Sequence, residues 1–211
     1  MNGLFITFEG VDGCGKSTQM RFLHEYLTEK GFTCTLTREP GGCKISEEIR
    51  TILLDVENEG MNRYTEALLY AAARVQHIDQ VILPALARGE VVLCDRYLDS
   101  SIAYQGYARG IGREAVLAMN RYAVEKCLPD VTFFLDYRPQ DAFLRMNPKK
   151  QMDRLENEDD DFFTSVYEGF IECWKAEPNR IRRVDVSGTK FETRDKLRGM
   201  VDEVLHAWQE T

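Results

Sequence analysis

The chain has 211 residues, 44% of them hydrophobic, 10% aromatic and 29% charged; 35 acidic against 27 basic side chains give a formal net charge of −8. That is one ordinary domain's length with a real core to bury, and the balance excludes disordered, collagen-like and coiled-coil chains. The acidic excess argues against nucleic-acid backbone as a partner, so phosphate contacts have to be local.

No apolar run approaches the roughly 20 residues of a membrane span, the longest being 67–73, so no membrane partner is expected. The first residues carry no basic leader and meet Glu9 early, which predicts a cytoplasmic protein. The six cysteines and three histidines show no metal-ligand spacing and read as reduced thiols and isolated rings.

In chain order, residues 4–8 form an apolar strand followed by Gly10-Val11-Asp12-Gly13-Cys14-Gly15-Lys16-Ser17. This is G-x-x-x-x-G-K-[ST], whose glycines let backbone N–H groups turn inward around phosphate oxygens. Lys16 adds a cation there, and the Ser17 hydroxyl suits Mg²⁺. A helix over 17–30 puts its positive end at the same place. A strand over 33–37 leads into Thr37-Arg38-Glu39-Pro40-Gly41-Gly42, where Arg38 can fork around a second phosphate or pair on the surface.

A helix over 66–87 carries Tyr70 and Arg74 at i and i+4. That spacing fits an aromatic and a donor facing a base, and equally a core tyrosine with a surface arginine. A strand over 91–94 ends in Asp95-Arg96-Tyr97. An Asp there is the expected outer partner of Mg²⁺, and Arg96 can hold a phosphate or make an ion pair. Ser100 to Gly106 offers polar groups for a base or sugar.

A helix over 113–126 and a strand over 131–135 precede the segment 145–154, with four basic residues in ten. It reads as a basic lid over polyphosphate or a solvated loop. A helix over 162–174, an alternating strand over 181–186 and a helix over 191–208 finish the chain. Four of the five strands read as nearly continuous apolar runs, buried on both faces, and the last as an edge. Strands alternating with helices predict an α/β fold: a five-stranded, mainly parallel sheet covered on both faces, in a single domain over 1–211.

The blocks 8–18, 37–42, 68–76 and 95–106 together resemble thymidylate kinases, in the nucleoside monophosphate kinase branch of P-loop proteins. The resemblance implies a P-loop kinase fold with a small basic lid at about 145–160, and transfer of the ATP γ-phosphoryl group to dTMP with Mg²⁺. ATP would lie on Gly10, Val11, Asp12, Gly13, Cys14, Gly15, Lys16, Ser17 and Thr18, with Ser17 and Asp95 at the metal. dTMP would meet Asp12, Arg38, Tyr70, Arg74, Arg96, Ser101, Tyr104 and Gln105. Lys16, Asp12, Arg96, Arg145, Lys149 and Arg154 would be catalytic, and the chain would form a homodimer, with the 66–87 helix available for it. Cys14 stands where some relatives carry arginine, and Asn147 and Lys149 where bacterial-type relatives repeat arginine in the lid.

Two rivals remain at this level. One is a kinase for another monophosphate, since dUMP differs from dTMP by a methyl group. The other is a nucleotide-driven switch, for which Asp185-Val186-Ser187-Gly188 lies in the wrong place and no N-K-x-D motif exists.

Overall fold

The computed structural model describes residues 3–143 and 153–210. Apolar, β-branched and aromatic residues build five strands: β1 (Leu4–Glu9), β2 (Cys34–Arg38), β3 (Val91–Asp95), β4 (Val131–Asp136) and β5 (Ile181–Asp185). They form one sheet in the order β2-β3-β1-β4-β5, and every pairing is parallel. All six residues of central β1 are buried, as a strand covered on both faces requires. Where polar side chains enter the core they satisfy each other: Thr7 and Thr132, opposite in register, share a 2.7 Å hydrogen bond.

β5 lies at the edge, as expected, but its burial does not strictly alternate: Ile181 and Val184 are buried and Arg182, Arg183 and Asp185 are more open. β2 departs from expectation. It is the other edge, and Leu36 is 46% exposed, because its outer neighbour is solvent and not a strand.

The helices are α1 (Lys16–Glu29), α2 (Lys44–Leu54), α3 (Arg63–His77), α4 (Leu83–Ala87), α5 (Leu98–Ser101), α6 (Arg113–Met119), α7 (Arg121–Lys126), α8 (Pro139–Phe143), α9 (Asp160–Ala176) and α10 (Lys190–Gln209). Local chemistry starts several of them. Asn62 Oδ1 caps α3 through Tyr64 N, Asp159 caps α9, and Thr189 with Glu192 forms a reciprocal box at α10.

The single helix expected over 66–87 widens to a π-helical stretch, Ile78–Ile82, before α4. Pro84 has no N–H to continue the ladder, which accounts for the break. The helix expected over 113–126 is two, parted at Asn120, whose side-chain amide donates to Val116 O at 2.9 Å. Helix α2 went unread, although Ile45, Ile49 and Ile52/Leu53 carry helical spacing. A second π-helical stretch, Ile102–Ala108, packs against α9. Gly169 allows that approach, since a Cβ there would lie 2.8 Å from Ala103 Cα.

The core is continuous across the sheet, with Phe5, Phe8, Phe133, Phe134 and Phe170 all essentially inaccessible. Each such side chain contributes roughly 1.5–3 kcal/mol of transfer free energy. On α3, which takes in the start of the helix expected over 66–87, Tyr64 and Leu68 are exposed, as are Ile45 and Ile52 on neighbouring α2.

Candidate active site

Register brings the chemistry together. Arg38 pairs with Asp95, and Asp95 pairs with Phe8, so three adjacent strands end side by side. The chain locks there: Glu39 N donates to Asp95 O and Arg96 N to Phe8 O, both at 2.9 Å. Beyond these ends lies a cleft of about 450 Å³. Ligands collect at this edge of parallel sheets.

At one end of the cleft the glycine-rich loop joins β1 to α1. Gly10 has φ 138°, and a Cβ on it would stand 2.7 Å from Leu135 O, so only glycine lets the loop pass β4. Helix α1 begins at Lys16, leaving its first-turn N–H groups directed at the loop. Lys16 is buried, and its Nζ donates to Gly10 O and Val11 O at 3.0 Å. Asp12, Gly13, Gly15, Lys16, Ser17 and Thr18 line the cleft. Gly10, Val11 and Cys14 do not, and Cys14 is a buried thiol that desolvation pushes up despite the nearby Lys16.

Ser17 Oγ donates to Asp95 Oδ2 at 3.0 Å, and Asp95 Oδ1 is buried with no hydrogen-bond partner among the described residues. A hydroxyl and a carboxylate are hard oxygen donors, which magnesium takes alongside substrate phosphates. Among the described residues no group of three His, Cys, Asp or Glu gathers as a metal cage. The pair, with Asp95 Oδ1 buried and unpartnered among the described residues, fits magnesium.

Arg96 stands at the middle of the cleft. Its φ of 67° is the one positive value at a non-glycine among the described residues, and such strain costs on the order of 1–3 kcal/mol. Four bonds hold the side chain: Nη1 to Gly10 O and Ser100 Oγ at 3.0 Å, Nη2 to Asp12 Oδ1 at 2.8 Å and to Tyr104 Oη at 3.2 Å. Tyr104 in turn donates to Asp12 Oδ2 at 3.2 Å. Burial works to raise the Asp12 carboxyl, but Arg96 and then Lys16 outweigh it and hold the group well below the usual carboxylate range.

The far end is built by Tyr70, Arg74, Ser101 and Gln105, all lining the cleft. Tyr70 is half-buried and Arg74 only 2% exposed, so neither a core tyrosine nor a surface arginine is found. Arg74 Nε donates to Glu39 Oε2 at 2.7 Å, Nη2 to Tyr97 O at 3.0 Å, and Nη1 to Asn120 Oδ1. The other Glu39 oxygen lies 2.9 Å from His77 Nδ1, and His77 Nε2 lies 2.6 Å from Thr37 Oγ1. The Ser101 hydroxyl is buried and has no partner among the described residues. Arg38 lines the cleft while donating to both Glu47 oxygens, at 2.9 and 2.8 Å, and to Pro40 O at 2.6 Å.

The basic segment needs correction. Arg145 and Lys149 lie outside the described residues, whereas Arg154 is not an open lid cation. Its side chain is buried, with Nε donating to Leu53 O at 2.8 Å and Nη2 to Glu66 Oε2 at 2.7 Å, and it does not line the cleft. A buried carboxylate partner outcompetes the open cleft for this guanidinium. The cleft is lined instead by its neighbours Asp153, Leu155 and Glu156, and by Arg50 of unread α2.

Glu9 was also missed. It is fully buried and accepts from Tyr97 N at 2.7 Å, Ser100 N at 3.2 Å and Ser100 Oγ at 2.5 Å. Burial, reinforced by Asp99, pushes its carboxyl from 4.5 up to about 7. A raised folded value means the native state holds this proton more tightly than the unfolded chain. Its contribution to stability is therefore full below about pH 4.5 and is lost as pH rises through about 7, roughly 3 kcal/mol in all. We expect the melting temperature to fall more steeply between about pH 5 and 8 than that of Glu9→Gln. Parallel curves for the two proteins would contradict this.

Comparison with known proteins agrees with the geometry. A family model described as thymidylate kinase matches residues 8–197. A thymidylate kinase of Thermoanaerobacter sp. (strain X514) is 49% identical over 185 residues, spanning 88% of this chain and 90% of its own length. That of Clostridium novyi is 41% identical over 201 residues, spanning 94% and 98%. The crystal structure of thymidylate kinase from Ehrlichia chaffeensis superimposes with a TM-score of 0.76 at 32% identity, covering 96% of this chain and 99% of that one. With a phosphate loop, a metal-fitting Ser–Asp pair and a second guanidinium site joined in one cleft, the chain belongs to the thymidylate kinase family.

Proposed function

We propose that this chain transfers the γ-phosphoryl group of ATP to the 5′-phosphate of dTMP, giving dTDP and ADP, with magnesium as cofactor. The observation that carries the reading is one cleft with two anion-receiving places, the glycine-rich loop with Lys16 and the pair Arg38 and Arg96. An oxygen of the acceptor phosphate bonds to the γ-phosphorus as the bond to the β-bridging oxygen breaks. Positioning and charge carry such a transfer, with little covalent work for the protein.

Each residue then has a task. Lys16 and the first-turn N–H groups of α1 hold the donor's phosphates. Ser17 and Asp95 would hold magnesium, which supplies positive charge to the same oxygens. Arg96, oriented in advance by Asp12 and Tyr104, receives the acceptor phosphate and stays with it as charge develops, and Arg38 grips its outer side. Tyr70 faces the base, with Ser101, Gln105 and the free N–H groups of Arg74 at its polar edge. Asp12 and Tyr104 border the sugar. Arg145 and Lys149 keep their catalytic assignment from the resemblance alone.

The test is ADP release with ATP and Mg²⁺ against dTMP, dUMP, UMP, dCMP, AMP and GMP. dTMP is expected to lead. dUMP should follow about 10–200-fold lower, because a pocket discriminates a methyl group by about 1–3 kcal/mol. Preference for another monophosphate would remove the base assignments, and no acceptor-dependent release would remove the kinase reading.

A further inference from the structure

Glu66 is where three separate parts of the chain meet on one carboxylate. It lies in the first turn of α3 and is 1% exposed. Oε1 accepts from Gln105 Nε2 at 2.9 Å and Arg109 Nε at 3.3 Å. Oε2 accepts from Arg154 Nη2 at 2.7 Å and Arg109 Nη2 at 3.2 Å.

Those partners connect Glu66 to the cleft along two separate stretches of chain. Gln105 lines it from the π-helical stretch. Arg154 does not line it, but anchors the segment 153–158, whose Asp153, Leu155 and Glu156 do. The anchor is doubled by Arg154 N donating to Leu54 O at 3.2 Å. Arg109 closes the cluster by pairing with Glu158 at 2.7 Å. Two carboxylates and two guanidiniums thus balance in a largely buried site. Burial works to raise the Glu66 carboxyl, but Gln105 and Arg109 more than offset it, so it stays ionised. Displacing one member strands another's charge in low dielectric, and the two stretches cannot part independently.

We propose that Glu66 is a positioning residue: holding Gln105 on one oxygen and Arg154 on the other, it couples the base-facing wall to the segment 153–158. Acceptor binding and the order of that segment then rise and fall together. This rests on the acceptor reading given above, which places the base against Gln105. Coupling of this kind is reciprocal. dTMP should tighten the segment, and the segment should tighten dTMP.

Hydrogen exchange at residues 153–158, with and without dTMP, tests this in the wild-type chain and in Glu66→Gln. In the wild type, saturating dTMP should slow exchange there about tenfold; in Glu66→Gln the change should be under about twofold. The KM for dTMP should rise about tenfold in the variant and the KM for ATP less than about twofold. Equal protection in both proteins, or equal rises in both KM values, overturns the proposal.

If Glu66→Gln does not fold, Arg154→Met asks the same question, because its side chain is outside the cleft. An approximately fivefold loss of dTMP affinity is expected, and unchanged affinity overturns the coupling. A wild-type chain without dTMP-dependent ADP release overturns the kinase reading and this inference with it, whereas an active wild type with unresponsive exchange overturns the inference alone.

Discussion

Arg96→Met is expected to turn over dTMP about a thousandfold more slowly than the wild-type chain, with a much smaller rise in the KM for dTMP. The backbone at Arg96 sits in the left-handed region, with its N–H bonded to Phe8 O, and side-chain bonds to Gly10 O and Asp12 Oδ1 aim the guanidinium at the phosphate loop. Strain so placed purchases orientation before the substrate arrives. A guanidinium fixed beforehand loses little entropy when charge builds on the phosphoryl group, so its effect belongs in kcat. Arg96→Lys should recover no more than about tenfold, since one ammonium cannot reach Gly10 O and Ser100 Oγ on one side and Asp12 and Tyr104 on the other while facing phosphate. Steady-state kinetics with each substrate varied separates the terms. A kcat within about tenfold of wild type for Arg96→Met would show that another cation carries the transfer.

Arg74→Met should be the most damaging change to stability, about 3–5 kcal/mol. Glu39 is buried at 5% exposure and, among the described residues, would keep His77 alone opposite its carboxylate, while Asn120 Oδ1 and Tyr97 O lose this donor. For a chain of this size that corresponds to a fall in melting temperature of roughly 10 °C. The double variant Arg74→Met/Glu39→Gln should lose less than the sum of the single changes, because the stranded charge is removed with its partner. Thermal unfolding of the three variants decides it. Additive losses would mean that Arg74 and Glu39 are energetically independent despite their 2.7 Å contact.

What was legible in the sequence is what is local in the chain. The phosphate loop announces itself because glycine spacing and its strand–helix setting lie within a dozen residues. Arg38 and Asp95 could be found because each ends a strand, and Arg96 because it directly follows one. The buried ion pairs could not: Arg74 meets Glu39 across 35 positions and Arg154 meets Glu66 across 88. A charged residue in a sequence reads as solvated until its partner is known, which is how Arg154 became a lid cation. Helix α2 is a different failure. Its apolar spacing is present, but Gly41 and Gly42 just before it have loop character, and nothing local marks Arg50 as a cleft residue. The π-helical stretch around Tyr104 and Gln105 has no residue pattern of its own, since tertiary packing against α9 decides it.

The register Phe8–Asp95–Arg38 has a consequence for how the sheet finds its pairing. β3 begins Val-Val-Leu-Cys and is buried on both faces, so sliding it by one residue would exchange one apolar surface for another. Hydrophobicity alone penalises that misalignment weakly. The discriminating information sits at the strand tips, where Glu9, Asp95 and Arg96 find hydrogen-bond partners in a single alignment. Two residues proposed above for metal and phosphate, Asp95 and Arg96, are therefore also address labels of the sheet. Evolution toward a new acceptor has to keep them for the sake of topology, and is free to vary mainly the far wall.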